Sequence, residues 1–373
     1  MAAAAAPETE GDLVAASTRA LARAWHQTDR MLLGAPQPKA FDHQIWLEMA
    51  RQGLLAARLP EAFGGADLKP SHTARIAHEL GAAMVPEPYV ACGVIPAVLC
   101  RTLPSGADRS RLVEALVGGR RRATLCWQSR TGCAAPEPGD LTIDDAGRIR
   151  GVGLFTPHAA DAEILLVLAW REGAPILASV DPQLPAIHID PHRLGDGGGA
   201  ANLTFDDAQS SAVLLTGDAA MTAATGAITE AVLYTSAYLT GLADMVLGRA
   251  LDHLRTRRQF GHPLGAFQTL QHQAVDLHMA LSLAGASVRR AALTVEASGP
   301  SASAQACVSA AKARTAHTAV EICRAAVQIC GGMGFAEEAK YGLALRIALQ
   351  QGAWLGGPRV HLRRFGRLSG LAA

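Results

Sequence analysis

The segment that decides the fold spans residues 243–261 and reads ADMVLGRALDHLRTRRQFG. Its apolar residues are spaced three or four apart, which places them on one face of an α-helix. They are Ala243, Val246, Leu247, Ala250, Leu251 and Leu254. Arginines and a glycine follow, and both are typical of a helix C-terminus. The segment therefore predicts a long helix that ends near Arg257, with Gly261 in the turn after it.

Two more helical patterns follow toward the C-terminus. One apolar stripe consists of Leu270, Ala274, Leu277, Leu281, Ala284 and Val288. Residues 306–327 are rich in alanine, which lets neighbouring helices approach closely. Short breaks at residues 261–265 and 298–300 join these helices, as in an antiparallel bundle. We predict an antiparallel four-helix bundle over residues 217–373.

Upstream of the bundle, the pattern changes to short apolar runs separated by Gly, Pro and Asp. These runs are residues 123–127, 149–155, 164–170, 175–180 and 201–205. Their spacing is typical of antiparallel strands, so we predict a compact antiparallel β domain over residues 121–216. Residues 12–120 have a helical pattern, and residues 1–11 are expected to be a disordered tail. The predicted fold class is α+β, with an N-terminal helical domain, a middle β domain and a C-terminal helical bundle.

Glycine and proline divide the N-terminal helical domain. Breaks are expected at residues 34–38, 60–65 and 86–88. After the first break, Phe41, Ile45 and Met49 recur every fourth residue, which predicts one face of a helix within residues 41–55.

Composition and charge narrow the class of protein. Of 373 residues, 49% are hydrophobic and 18% are charged, which is enough apolar material for a buried core. The net charge is +1, so neither nucleic acid nor an anionic membrane surface is an expected partner. The longest apolar run, Ile164–Trp170, is too short to span a bilayer. We expect a cytoplasmic protein.

The cysteines and histidines do not predict a metal site. The number of cysteines is 7, which is odd, and no two have the C-x-x-C spacing of a metal or redox motif. His272 and Asp276 share one helix face, but a metal site needs more ligands at compatible spacing. We expect no bound metal.

Two polar clusters that contain glycine stand at the ends of predicted helices. The first is residues 257–261, RRQFG, followed by Phe267 and Gln268. The second is residues 328–335, QICGGMGF. Each is explained by a simple glycine cap. Arginine side chains and glycine N–H groups are also the donors that suit phosphate oxygens.

Together the two clusters resemble the acyl-CoA dehydrogenase family, whose bundle carries an R-x-x-F-G segment, a downstream Gln and a Q-I-x-G-G-x-G segment. The similarity extends upstream to residues 46–55 and 59–65 and to the β-domain residues 151–169. It implies the same helix–β–helix order, FAD as the cofactor and α,β-dehydrogenation of an acyl-CoA thioester. The residues it implies for FAD binding are Arg257, Gln259, Phe260, Gln268, Gln328, Gly331, Gly332 and Trp354.

In this family FAD is shared between two subunits. One subunit holds the isoalloxazine ring and the thioester, and its neighbour supplies the R-x-x-F-G and Q-I-x-G-G segments to the adenosine and pyrophosphate. The resemblance therefore implies a homo- or hetero-oligomer, a dimer or a tetramer.

The resemblance also locates the group that removes the proton from Cα of the thioester. In most members this is a Glu in an aromatic-Glu-Gly-Thr segment, and a count without gaps places residues 354–357, WLGG, at that segment. Leu355 stands at the base position and cannot accept a proton, a loss that costs roughly 10²–10⁴-fold in rate. Some members carry the Glu on the helix before R-x-x-F-G, where this chain has Ala231. Glu230 is one residue away, about 100° around the helix.

The flavin side of the β domain departs from the family as well. A Thr-Glu-Pro-rich loop is replaced by residues 126–130, CWQSR. A Trp-x-Thr segment reads Phe155-Thr156-Pro157, where proline removes both a hydroxyl and an N–H donor. The half of the FAD site that a neighbour donates is retained, and the half that holds the ring is altered.

Three functions remain open. The favoured one is a supporting subunit without its own base, in a complex with a base-bearing paralogue. Heteromeric members that act on steroid side chains have such subunits, and the C-terminal segments of those subunits are similar to residues 354–363, WLGGPRVHLR. The second is a homomeric dehydrogenase that uses Glu230 or another carboxylate, although Glu230 is more simply explained as a solvated or paired surface carboxylate. The third is a non-enzymatic interaction module derived from the family.

Overall fold

The structure, a computed structural model, describes residues 10–25, 31 and 41–371. The N-terminal helices in this part of the chain are α1 (Glu10–Ala24), α2 (His43–Arg51), α3 (Pro70–Ala82), α4 (Ile95–Cys100) and α5 (Ala107–Gly118). Residues 1–9 of the predicted tail lie outside the described residues. The prediction of a disordered tail is wrong for Glu10 and Gly11, which begin α1. The break predicted at residues 34–38 also lies outside the described residues.

Helix α2 confirms most of the helical face predicted within residues 41–55. The helix begins after Asp42, whose side chain accepts hydrogen bonds from the N–H groups of Gln44 at 2.8 Å and Ile45 at 3.3 Å. Ile45 and Met49 are buried, as predicted. Phe41 lies outside the helix, because the cap at Asp42 fixes the first turn one residue later.

The middle of the chain forms one eight-stranded sheet. Its strands are β1 (Ala123–Cys126), β2 (Thr142–Ile143), β3 (Arg148–Pro157), β4 (Ile164–Arg171), β5 (Ala174–Val180), β6 (Ile187–Arg193), β7 (Gly199–Gln209) and β8 (Ala212–Thr216). The order across the sheet is β6-β7-β3-β2-β4-β5-β8, and β1 pairs with β4.

All five apolar runs predicted as strands lie in strands of this sheet. Strands β2, β6 and β8 were not predicted, because β2 has only two residues and β6 is largely exposed and polar. Most pairings are antiparallel, as predicted, but β1 and β2 run parallel to β4. No hairpin joins β4 directly to either strand, so their directions are not constrained to be opposite.

The C-terminal part is helical. Its helices are α6 (Gly217–Thr256), α7 (Gln268–Ser298), α8 (Ala302–Cys330), α9 (Tyr341–Ala353) and α10 (Pro358–Leu368). A hairpin of two short strands, β9 (Arg258–Gln259) and β10 (His262–Pro263), connects α6 to α7. Short connections make consecutive helices run in opposite directions, so α6 to α9 form the predicted four-helix bundle. Helix α10 was not predicted and packs on α8.

Two glycines seat the N-terminal helices on the bundle. A Cβ at Gly81 of α3 would lie 2.0 Å from the Tyr238 carbonyl oxygen, and one at Gly241 of α6 would lie 1.9 Å from the His78 carbonyl oxygen. Only glycine permits two helix backbones to touch in this way. The crossing fixes the position of the N-terminal helical domain relative to α6.

Among the described residues, α6 is the one helix long and apolar enough to cross a membrane by length and composition. In its most apolar window, 78% of the residues are buried inside the protein. This burial is the pattern of a core helix in a bundle, and it accounts for the apolar composition of α6.

Candidate active site

A cavity of about 540 Å³ lies where the N-terminal helices, the sheet and the bundle meet. Its walls are drawn from residues 85–91, 128–133, 155–158, 194–200, 235–238 and 347–357. Small-molecule sites typically have volumes of about 300–1,000 Å³ and are mostly apolar with a few polar groups. The cavity is therefore the candidate site for a ligand.

The segment predicted to carry the base forms one wall of this cavity. Trp354, Leu355, Gly356 and Gly357 all line it. Leu355 is only 2% exposed and belongs to the main hydrophobic core. Its φ of 61° is unusual for a residue with a side chain. Leu355 stands where the resemblance to the family's aromatic-Glu-Gly-Thr segment predicts the base. The wall thus has an aliphatic side chain there, which cannot take a proton.

The β-domain residues that were predicted to lie beside the flavin ring line the same cavity. Phe155 is 43% exposed, with its N–H donating to Asn202 Oδ1 at 3.1 Å, and Pro157 lies next to it in the wall. Burial, aided by the charge of Arg122, lowers the pKa of His158 to about 4, so its ring is neutral at pH 7. Phe155 and His158 both have positive φ, as Leu355 does. Such conformations cost roughly 1–3 kcal/mol each and are concentrated at ligand sites.

Two carboxylates in the cavity wall were missed by the sequence analysis. Asp196 is 8% exposed and accepts hydrogen bonds from the Gly198 N–H at 2.9 Å and from Gln351 Nε2 at 3.2 Å. Burial raises its pKa above the ordinary value. The second carboxylate, Glu87, is 5% exposed. Burial and the charges of Asp196 and Glu87 together raise the pKa of Tyr238, so both carboxylates lie within electrostatic reach of this phenol.

The sequence contains a weak indication that Asp196 lies in a loop near a site, and none that Glu87 does. Asp196 stands in the run Gly195-Asp196-Gly197-Gly198-Gly199, which is typical of a loop. Only the tertiary structure shows that this loop folds against α9 through Gln351.

Glu230 lies away from the cavity wall, in a buried ion pair. Arg58 donates to it through Nε at 2.7 Å and Nη2 at 2.8 Å, and the Tyr234 hydroxyl donates at 2.7 Å. Glu230 is 7% exposed, so the interpretation that it lies at the surface is wrong. The interpretation that it is paired is confirmed. Burial alone would lower the pKa of Arg58, but the hydrogen bond to Glu230 and the charges of Tyr234, Glu230 and Asp67 together outweigh it, so this pKa is raised. The pair joins the N-terminal helical domain to α6.

The residues implied for FAD binding fall into two groups. Trp354 lines the cavity and is half-buried. Every other one is exposed and lies outside the cavity wall, namely Arg257, Gln259, Phe260, Gln268, Gln328, Gly331 and Gly332.

The first exposed segment is a tight hairpin after α6. Helix α6 ends as predicted, with the Arg257 N–H donating to the His253 carbonyl at 2.9 Å. Gly261 lies in the turn after the helix, as predicted, and has a left-handed conformation at φ 81°, which Phe260 shares at φ 52°. Phe260 is 87% exposed and meets the Phe267 ring edge-on, at 6.2 Å between centroids. The turn therefore presents an aromatic ring and basic side chains to the outside.

The second exposed segment is the glycine turn after α8. Gly331 has φ 60°, which favours glycine. At Gly331 and Gly332, nothing lies within 4 Å of the place a Cβ would take, so the backbone is open to a ligand on that side. Open glycine backbone, like an exposed arginine, fits the phosphate part of a dinucleotide.

Both exposed segments lie at the same end of the bundle. Consecutive helices of the bundle run in opposite directions, so α6 and α8 run the same way and finish at the same end of it. The end of α9 lies elsewhere, because Gly352 contacts Ala316 in the middle of α8. Ala316 and Cys330 are 14 residues apart in the numbering, which is roughly 21 Å along a helix. The cavity wall and the exposed segments are therefore two separate regions of one chain.

Within the described ranges, no group of three or more His, Cys, Asp or Glu side chains is arranged to hold a metal ion. All of the cysteines are free thiols, and all but Cys307 are buried.

Comparisons with known proteins agree with this architecture. The model of the acyl-CoA dehydrogenase N-terminal domain matches residues 13–104, and that of the acyl-CoA dehydrogenase C-terminal domain matches residues 221–368. The two matches together span more than half of the chain. IpdE2 of Mycolicibacterium smegmatis, an acyl-CoA dehydrogenase, is 28% identical over 327 residues, 87% of each protein. FadE12 of Mycobacterium tuberculosis, also an acyl-CoA dehydrogenase, is 27% identical over 322 residues, 81% of this chain and 80% of FadE12.

Solved structures share the whole fold. The Tcur3481-Tcur3483 steroid ACAD variant aligns with a TM-score of 0.83 at 25% identity, covering 98% of this chain and 99% of the other. The ChsE4-ChsE5 complex of Mycobacterium tuberculosis aligns at 0.85 and 22% identity, with the same coverage. Because the family models match both helical regions and the three-part fold is that of these proteins, the chain belongs to the acyl-CoA dehydrogenase family.

Proposed function

We propose that this chain is a supporting subunit of a heteromeric, FAD-dependent acyl-CoA dehydrogenase. The observation that carries the proposal is the cavity wall at Leu355, a buried aliphatic side chain in the segment that a count along the sequence matches to the family's catalytic carboxylate. A chain that retains phosphate-binding segments but lacks this group is suited to complete the cofactor site of a partner that has it.

The exposed segments supply the contribution to that partner. Arg257 and the open backbone at Gly331 and Gly332 would bind the pyrophosphate, since guanidinium and glycine N–H groups donate to phosphate oxygens. Gln259, Phe260, Gln268 and Gln328 would surround the adenosine. When bound, FAD supplies the acceptor for a hydride.

An apolar surface beside these segments supports assembly with another chain. Its members are Phe260, Phe267, Met333 and Phe335 near the turns, and Val275, Met279 and Leu283 on one stripe of α7. Phe335 is 80% exposed. Exposed apolar groups of this size and continuity are typical of protein interfaces. The partner we propose is a paralogue of the same family that carries the catalytic base.

The experiment is purification of the chain alone and together with its base-bearing paralogue, with an absorbance spectrum of each preparation. We expect bound flavin and acyl-CoA oxidation only in the complex. Full dehydrogenase activity of the single chain would contradict the proposal. A complex that contains no flavin would instead favour a non-enzymatic interaction module.

A second candidate function, a single-chain dehydrogenase, is favoured by one observation. Asp196 is a carboxylate in the cavity wall, and its raised pKa is a property of many general bases. Glu230 is less suited to this role, because Arg58 and Tyr234 already occupy its oxygens. Asp196→Asn separates the two functions: it would abolish flavin bleaching by acyl-CoA if Asp196 is the base, and would leave the rate of the heteromeric complex within a few-fold otherwise.

A further inference from the structure

A buried polar cluster lies directly behind the cavity wall formed by residues 351–357. Lys312 of α8 and His361 of α10 are both 0% exposed. Lys312 Nζ donates to the Gln351 carbonyl oxygen, and His361 Nε2 lies 2.9 Å from the Leu355 carbonyl oxygen. Because a carbonyl oxygen only accepts, the histidine carries its proton on Nε2. Two side chains thus bind the wall from the side opposite the cavity.

These bonds meet two specific needs of the wall. Gln351 lies in the last turn of α9, where carbonyl oxygens have no partner within the helix. Leu355 holds a positive φ, and a strained residue persists only when its surroundings fix it. The bond to His361 is one such constraint.

The wall and the imidazole are in close contact. A Cβ at Gly356 would lie 3.2 Å from His361 Nε2 and 2.9 Å from the Cβ of Ala134. Gly356 also has φ 98°, so glycine is required there by its conformation and by its neighbours. Any displacement of His361 therefore reaches the cavity through Gly356 and Leu355.

The electrostatics of the cluster keep its charge low. Burial lowers the pKa of Lys312 to about 7. Burial, then the charges of Lys312 and Arg364, lower the pKa of His361 to about 3, so this ring is neutral. Its Nδ1 atom is buried without a hydrogen-bond partner. A buried lone pair of this kind costs free energy, so attachment of α10 by itself does not explain the choice of histidine.

Simple packing of α10 on α8 is provided by other contacts. Arg364 of α10 donates to Ser309 Oγ at 3.0 Å and to Gln305 Oε1, both on α8. An apolar residue at position 361 would pack against α8 without an unpartnered nitrogen. Only a hydrogen-bond donor at position 361 can bond to the Leu355 carbonyl oxygen.

We propose that His361 and Lys312 are positioning residues that hold the wall segment 351–357 from behind and thereby set the shape of the cavity and the orientation of the Trp354 ring. The inference rests on the proposed function only in taking the cavity as the ligand site. The positioning itself is a property of the single chain.

Tryptophan fluorescence tests the inference without partner, flavin or substrate. Trp25, Trp46, Trp127 and Trp170 are each at most 9% exposed, so acrylamide quenching reports mainly on the half-buried Trp354. We expect His361→Leu to raise the quenching constant about twofold, because the wall opens locally when its bond is lost. His361→Gln, which keeps a donor, should restore quenching close to the wild-type value.

The matched control is Leu362→Ala, which lies on the same helix with 58% exposure and should leave quenching unchanged. Trp354→Phe identifies the part of the signal that belongs to Trp354. The inference is overturned if His361→Leu folds and its quenching equals that of the wild type, or if His361→Gln is quenched as strongly as His361→Leu.

Lys312→Met provides a second test if His361→Leu does not fold. This variant loses the donor to Gln351, and we expect quenching about 1.5-fold above the wild type. Burial gives Lys312 a pKa of about 7. Its charge acts on His361, on which Arg364 also acts, and Arg364 is in turn affected by Arg367. A protonated donor binds a carbonyl more strongly. Wild-type quenching should therefore fall as pH decreases through about 7, and Lys312→Met should lack this change; unaltered quenching and pH response in Lys312→Met would overturn the inference.

Discussion

The cavity wall and the outer end of the bundle differ in what completes them. The wall residues Leu355 and Asp196 are buried and are held by contacts within the chain. The segments at the outer end that we propose to bind phosphate are exposed, with Phe260 at 87% and Phe335 at 80%. Contacts within the chain thus hold the residues of the cavity wall, whereas the side chains at the outer end of the bundle are exposed. The comparison teaches that the fold of one chain completes the cavity, whereas the segments proposed for FAD binding remain at the surface.

The same comparison separates the two carboxylates considered as candidate bases. Glu230, which the sequence suggested as an alternative base, is occupied by Arg58 and Tyr234 in a structural ion pair. Asp196, to which the sequence gave no role, faces the cavity. A residue that is close in sequence to a position used by the family thus need not have its side chain in the cavity.

The largest effect is expected from Glu230→Gln. Removing one partner of a buried pair leaves the Arg58 charge uncompensated, and such changes cost about 3–5 kcal/mol of stability. Urea unfolding of the single chain measures it. Glu48→Gln is the control, since its pair with Arg51 is exposed and contributes at most about 1 kcal/mol. Unchanged stability in Glu230→Gln, together with lost flavin bleaching, would show that Glu230 belongs to the catalytic region after all.

Arg257→Ala tests the outer region. Loss of a charged hydrogen bond, worth about 1.5–3 kcal/mol, should weaken FAD retention by the complex roughly 10- to 100-fold. The stability of the single chain should stay within about 0.5 kcal/mol, because Arg257 is exposed. Equilibrium dialysis of the complex gives the affinity. Arg255→Ala is the matched control, with 71% side-chain exposure and a pair to Asp252; equal losses in both variants would refute a specific role for Arg257.

The pH dependence of stability tests the cluster behind the wall. Lys312 has a pKa of about 7 in the folded chain, against an ordinary value of 10.5. Between these values the unfolded chain holds a proton on Lys312 that the folded chain lacks, so the contribution of Lys312 to stability should increase as pH rises, by at most about 1.4 kcal/mol per pH unit. The buried thiols, whose pKa values are raised, contribute with the opposite sign, so the difference between the two variants is the quantity that matters. Chemical unfolding at pH 7.5 and 9, compared between the wild type and Lys312→Met, isolates this contribution. A wild-type slope that persists in Lys312→Met would assign it to another group.

The smallest effect on the single chain is expected from Phe260→Ser. The ring is exposed, so stability should change by less than about 0.5 kcal/mol. Its loss should still weaken assembly with the partner, which sedimentation measures. Leu13→Ser, 55% exposed on α1 in the N-terminal helical domain, serves as the control. Equal assembly of the wild type and Phe260→Ser would remove the hairpin from the interface.

Much of the fold was predictable because it depends on local periodicity. The apolar stripe from Ala243 to Leu254 predicted α6, and five apolar runs predicted five strands of the sheet. Strand β6 was missed because its exposed residues carry no apolar run, and α10 because its short sequence is dominated by arginine. The parallel pairing of β1 with β4 could not be predicted, since it depends on the path of the chain between them.

The site was predictable only where a motif is contiguous. The segments at Arg257 and Gly331 were identified from adjacent residues, and the wall at Leu355 from a count along the chain. Glu87, Asp196 and Tyr238 come from three separate parts of the sequence and meet only in the folded cavity. Their exposure and electrostatic coupling follow from long-range contacts, which local pattern does not contain.

The amino-acid sequence by itself determined the three-part architecture, the family resemblance and the absence of a titratable side chain at position 355. These depend on residue identity and on spacing along one helix or strand. The tertiary structure alone decided that Glu230 is bound in an ion pair, that Asp196 faces the cavity and that His361 supports its wall. Each of these depends on which surfaces pack together, because burial and hydrogen-bond partners are set by neighbours that are distant in the chain.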